Sequence, residues 1–96
     1  FIIGDLGPGM AVNRKVPNLG PRLSIVDSKG KTLARLGGQD GPGHETGRFL
    51  SPHGLAVDSR GDIYVGEVSY TNWPSTFPGT AVPKYLRTLQ KLEKVV

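Results

Sequence analysis

Residues 54–65 read Gly54-Leu55-Ala56-Val57-Asp58-Ser59-Arg60-Gly61-Asp62-Ile63-Tyr64-Val65, and this stretch decides the fold. Two apolar runs, each too short for a helix, flank a turn of aspartate, serine, a basic residue and glycine, which is the pattern of a β-hairpin. Asp58 is placed to accept hydrogen bonds from backbone N–H groups two residues on. Gly61 is placed to take the positive φ that a tight β-connection demands. The same grammar occurs upstream, where Leu23-Ser24-Ile25-Val26 runs into Asp27-Ser28-Lys29-Gly30 and then Lys31-Thr32-Leu33-Ala34-Arg35-Leu36. Two hairpins therefore share one turn sequence.

A second repetition sets the unit length. Ile3-Gly4-Asp5 is echoed by Val65-Gly66-Glu67 at an offset of 62 residues, and Leu23 to Asp27 lines up with Leu89 to Glu93 at an offset of 66. This is a degenerate repeat with unequal loops, longer than the ~40 to 50 residues of an ordinary propeller blade. The excess lies in two Gly/Pro-rich excursions, Gly7 to Pro21 and Ser69 to Pro83. Loops of that length are more often functional or interfacial than neutral. Residues 85–96 read two ways: Tyr85, Leu89, Leu92 and Val96 fit a helical stripe, whereas the repeat requires a strand over Thr88 to Val95. The reading followed here is the repeat, with a helical turn allowed at Lys84 to Leu86.

Composition narrows the class. The chain has 96 residues, is 36% hydrophobic, and carries 14 glycines and 8 prolines, a thin supply for a core. A chain of this size hides only about 60 to 65% of its unfolded surface and is marginal without help from disulfides, metals or partners. There is no cysteine, so disulfides and thiolate metal sites are excluded, while the compartment is left open. The net charge of +4 comes from scattered residues, with a loose cluster at Lys84, Arg87, Lys91 and Lys94. Tyr85 is the one aromatic residue within that cluster and no row of stacking platforms interleaves with it, so it reads as a solvated face and not as a nucleic-acid surface. No apolar run approaches the ~20 residues of a membrane span. Phe1-Ile2-Ile3-Gly4 is too short for the core of a signal peptide and reads as the interior of a strand.

Gly47-Arg48-Phe49-Leu50-Ser51-Pro52-His53-Gly54-Leu55-Ala56-Val57-Asp58, the glycine turn and Ile63-Tyr64-Val65-Gly66-Glu67 together resemble an NHL repeat. That pattern runs Gly-x-Phe, Pro-x-Gly-Ile-Ala-Val-Asp, a glycine turn, and Asn-Ile-Tyr-Val-Ala-Asp. Arg22 to Gly38 is similar to the second half of such a repeat. Three departures are glycine for alanine at Gly66, glutamate for aspartate at Glu67, and no Asn-x-Arg before the third strand. The resemblance implies an all-β fold, a fragment of a six-bladed β-propeller amounting to about one and two-thirds blades of antiparallel four-stranded sheet. On that map residues 1–38 supply the second to fourth strands of one blade around a long inserted loop. Residues 39–52 are the connector between blades, and residues 53–96 form a final, incomplete blade with its own long loop. The remaining blades would be the natural partners of these strands, and the isolated chain is expected to be poorly soluble or to oligomerise.

Candidate site residues follow from the same map. His53 falls just before the first strand of a blade, near the channel mouth. Its Pro52-His53-Gly54 setting resembles the Pro-His step of the peptidyl-hydroxyglycine amidating lyases, propeller enzymes whose histidines bind zinc. It is either one ligand of a zinc whose other ligands lie elsewhere, or a hydrogen-bonding surface residue. His44, in the Gly41-Pro42-Gly43 loop, is a weaker candidate. Glu67 and Asp5 occupy equivalent strand ends, where a carboxylate either faces the channel or caps the following loop. Tyr70 and Trp73 either line a substrate pocket or pack over the blade, and Arg48 either binds an anion or sits at the surface. No phosphate-binding loop, nucleophile elbow or His-Glu-x-x-His motif is present. The run Gly37 to Gly43 reads as a connector and not as a phosphate cradle.

Two functions are compatible with this reading. One is an interaction scaffold that binds a protein or small-molecule ligand around a channel-mouth site. The other is a zinc-assisted lyase or hydrolase resembling the amidating lyases or the lactone-hydrolysing propellers, with His53 as one metal ligand.

Overall fold

A computed structural model of the chain describes residues 1–7, 20–38 and 41–95. Strands β1 (Ile2–Asp5), β2 (Arg22–Val26) and β3 (Thr32–Leu36) form one antiparallel sheet in chain order. Strands β4 (Pro52–Val57), β5 (Ile63–Glu67) and β6 (Leu89–Leu92) form a second, and helix α1 (Ser69–Thr76) lies between β5 and β6 in sequence. Most of the Gly7 to Pro21 excursion, Gln39 and Asp40 of the glycine-rich run, and Val96 of the helical stripe lie outside the described residues.

Both hairpins close by the same chemistry. Asp27 Oδ1 accepts the N–H groups of Lys29 and Lys31 at 2.9 Å each, and Asp58 Oδ1 accepts those of Arg60 and Asp62 at 2.9 and 3.0 Å. In each turn the glycine N–H donates to the aspartate carbonyl at 3.0 Å, with Gly30 at φ 84° and Gly61 at φ 87°. A type I turn followed by a left-handed glycine gives the twist a three-residue hairpin loop needs.

The register reproduces the sequence repeat. Gly4 sits opposite Leu23 and Gly66 opposite Leu89; Ile3 sits opposite Ser24 and Val65 opposite Gln90. The two intervening loops differ in length, but the pairing does not slip, because a one-residue slip would turn every buried side chain outward.

The sheets stack with β1 against β4. Leu23, Phe49, Ile63 and Val65 are buried between them, and Ile2, Ile25, Leu36, Leu55 and Leu92 pack around that cluster. Full burial of a side chain such as Leu23 or Val65 contributes about 1.5–3 kcal/mol. Gly4 lies at this contact, where a Cβ would stand in ordinary van der Waals contact with Leu55 Cδ1 and Pro52 at 3.6 and 3.7 Å.

Three expectations are corrected. Ser69 to Thr76 is helix and not loop. Ser69, Trp73 and Phe77 recur at helical spacing, and Trp73 is buried against Leu50, Leu86 and Phe77, so packing overrides the weak propensity of a segment containing Pro74. The first strand of the second sheet begins at Pro52, which places His53 within it and not before it. At the chain's end the strand is the shorter Leu89–Leu92, and Lys84 to Leu86 makes a bend with no helical turn. The helical stripe has nothing to pack on, with Tyr85 80% and Leu89 63% exposed, whereas β5 offers β6 a complete ladder.

Candidate functional site

The sequence candidates separate into three places. His53 is exposed at a β-bulge. Pro52 pairs with Glu67 and Gly54 with Gly66, so His53 is the extra residue between two consecutive pairs. A bulge leaves one residue outside the ladder and re-aims its side chain, a device common near binding sites. Across the contact between β1 and β4, Asp5 ends its strand in an ion pair with Arg22 (Oδ2 to Nε 3.1 Å), with both side chains partly exposed. The end of β1 and the start of β4 thus bring His53, Asp5 and Arg22 to one end of the stacked sheets.

Glu67 is buried and points elsewhere. Its Oε1 accepts the N–H groups of Leu50 (2.6 Å) and Ser51 (3.0 Å), and its Oε2 accepts Gln90 Nε2 at 3.3 Å. The expected loop-capping role is therefore turned around: the carboxylate holds the segment entering β4 and not the loop leaving β5. Asn72 Nδ2 donates to Ser51 Oγ at 2.8 Å, and Gln90 Nε2 also donates to the Arg48 carbonyl at 2.8 Å, so connector, β5, β6 and α1 meet in one buried polar knot. The buried partners Ser51 and Gln90 and the half-buried Asn72 were missed by sequence reasoning, because nothing local marks a serine, glutamine or asparagine as long-range glue.

The remaining candidates are structural ties of the connector and the helix. Arg48 donates to Glu45 Oε2 at 3.1 Å and to the carbonyls of Pro42 and Gly41 at 2.8 and 3.3 Å. Trp73 is buried, its Nε1 donates to the Thr80 carbonyl at 3.0 Å, and its ring meets Phe77 at 4.5 Å. His44 touches the same indole edge-on at 6.1 Å. Tyr70 is half exposed, and its hydroxyl accepts the Leu86 N–H at 2.8 Å.

Beyond these, a cavity of about 700 Å³ opens between the sheets, floored by Ile25, Leu36, Phe49 and Ile63 and rimmed by Arg35 and Lys94. On the outer face of the second sheet, Tyr64 Oη donates to Asp58 Oδ2 at 3.0 Å, and Lys91 Nζ lies 5.7 Å from the Tyr64 ring. Desolvation is the largest single influence on Asp58 and acts to raise its pKa. The hydrogen bonds from Asp62 N–H, Tyr64 hydroxyl and Arg60 N–H outweigh it and hold the carboxyl below its ordinary 3.8. The same bond to Asp58, aided by desolvation, raises the Tyr64 phenol.

Among the described residues no three His, Asp or Glu side chains converge as metal ligands. Among the described residues Glu67 is committed to three donors, and no set of ligands gathers around His53.

Residues 49–73 match the NHL repeat. The match spans β4, the Asp58 turn, β5 and the first residues of α1. The two antiparallel three-stranded sheets, with one short helix, are those of a small β-propeller fragment, and the NHL repeat within them supports a propeller-type interaction scaffold. Comparison with curated proteins and with solved structures returns no significant match. No described helix is long and apolar enough to cross a membrane.

Proposed function

We propose that the chain is a propeller-type interaction scaffold that recognises its ligand with the end of the sheets where β1 finishes and β4 begins, the channel mouth in propeller terms. Residues 1–38 then act as the second to fourth strands of one blade, 39–52 as the connector, and 53–96 as the first to third strands of the next. The observation that carries this reading is the bulge that lifts His53 out of the ladder into solvent, at the same end of the sheets as the partly exposed Asp5 and Arg22 pair. An exposed imidazole on one strand, with a carboxylate and a guanidinium on strands of the neighbouring sheet, offers a partner both donors and acceptors. Such polar groups around an exposed ring are what a peptide or protein surface pairs with.

The test is selection of a peptide library on the immobilised chain, followed by affinity measurement with variants. Selected peptides should bind His53→Ala and Asp5→Ala about tenfold more weakly, the ~1.4 kcal/mol lost when one contact of an interface is removed. Ser28→Ala, in the far hairpin turn, should bind as the wild type does. Equal binding by all variants would place recognition elsewhere.

A further inference from the structure

The cavity between the sheets takes no part in the recognition end at Asp5 and His53. Its volume of about 700 Å³ is that of a small-molecule site. The walls come from both sheets: Ile2, Ile25 and Leu36 from the first, Ile63 and Leu92 from the second, with Phe49 of the connector between them. Every one of these side chains belongs to, or packs on, the cluster that joins the sheets, so the hollow is framed by the contacts that hold the two together. At its edge stands Gly47, with φ 84°, where an added Cβ would meet nothing within 4 Å. A side chain is strained in that backbone conformation, so the opening stays clear.

The charged groups around the opening differ in what they already hold. Arg48 donates to Glu45 and to the Pro42 and Gly41 carbonyls, and Glu93 lies 3.6 Å from Lys91 Nζ. Arg35 and Lys94 also line the opening, and among the described residues neither takes part in an ion pair. Lys94 is anchored there by its backbone, since its N–H donates to Asp62 Oδ1 at 2.8 Å and its stem lies over Gly61, another wall residue. An apolar hollow thus meets solvent at two cations that no carboxylate of the described chain neutralises.

The geometry points to this hollow as a binding site for a small amphipathic carboxylate, its apolar body on the Ile25, Leu36, Phe49 and Ile63 floor and its head at Lys94 and Arg35. A carboxylate accepts charge-assisted hydrogen bonds from both cations, whereas an ammonium head is repelled by them. Each methylene of the body leaves water for an apolar wall, which sets a dependence on chain length. The inference rests on the space between the sheets and not on the recognition end proposed above.

Isothermal titration of the chain with octanoate, decanoate and dodecanoate, each below its micelle concentration, tests it. Binding should be one to one and tighten about three- to fourfold per added methylene. Lys94→Glu should weaken decanoate about tenfold and leave decanol, which has the same chain and no charge, unchanged. Leu36→Trp fills the hollow and should abolish binding of both. Decanoate that does not bind, affinity that ignores chain length, a Lys94→Glu variant that holds decanoate as tightly as the wild type or loses decanol equally, or a Leu36→Trp variant that still binds would each overturn the inference. Lys94 is exposed, and far-UV circular dichroism checks the fold of each variant; Ile25→Phe, which narrows the same floor, replaces Leu36→Trp if that chain does not fold.

Discussion

At the scale of single residues, the buried Glu67 carboxylate has the largest structural consequence. It is the acceptor for two buried N–H groups, and leaving a buried donor unsatisfied costs about 1–3 kcal/mol. Glu67→Ala should therefore destabilise the chain by ~2–4 kcal/mol in urea denaturation, while Glu67→Gln, which keeps an acceptor oxygen, should lose less. Asp58 supplies a pH dependence. Its folded pKa is depressed, so its contribution is full above its ordinary 3.8 and is lost as pH falls through the lower folded value. Thermal melts in acid should show a steeper fall for the wild type than for Asp58→Asn. That carboxylate was legible in the sequence because its partners are two and four residues away; Glu67 was placed on the correct strand end, but its partners lie 16, 17 and 23 residues away and no local pattern points to them.

Elements add a second kind of evidence. The two hairpin turns share backbone geometry but not surroundings. A Cβ on Gly30 would meet nothing, whereas one on Gly61 would come within 2.9 Å of Lys94 Cδ. Because the exposed Lys94 side chain can swing away, Gly30→Ala and Gly61→Ala should each cost about the same ~1–2 kcal/mol of left-handed strain, measured side by side by denaturant unfolding. Helix α1 has no side-chain cap and carries Pro74, so docking of Trp73 sustains it. Trp73→Ala should cost ~3–5 kcal/mol and lower helical ellipticity. The sequence of this segment looks like a loop because serine, threonine and proline dominate it; one buried indole reverses that preference.

For the whole molecule, the question is whether the sheets fold as one unit. Leu23 belongs to the first sheet and lies in a cluster with Phe49, Ile63 and Val65 of the connector and the second. Leu23→Ala should cost ~2–5 kcal/mol, and amide exchange should accelerate in β5 as well as in β2. Protection that fell in the first sheet alone would show two independent units.

The sequence by itself determined the hairpins, their shared turn, and which strands of the two sheets correspond, because these depend on residues close in the chain or on a repeat visible in the letters. It also brought Asp5 and Glu67 to matching strand ends. Only the tertiary structure decided that Asp5 stays near the surface with Arg22 while Glu67 is buried under the connector, that His53 is lifted out on a bulge, and that Ser69 to Thr76 coils into a helix. Those outcomes depend on which faces meet, and burial rewards contacts between residues far apart in the chain that no local pattern records.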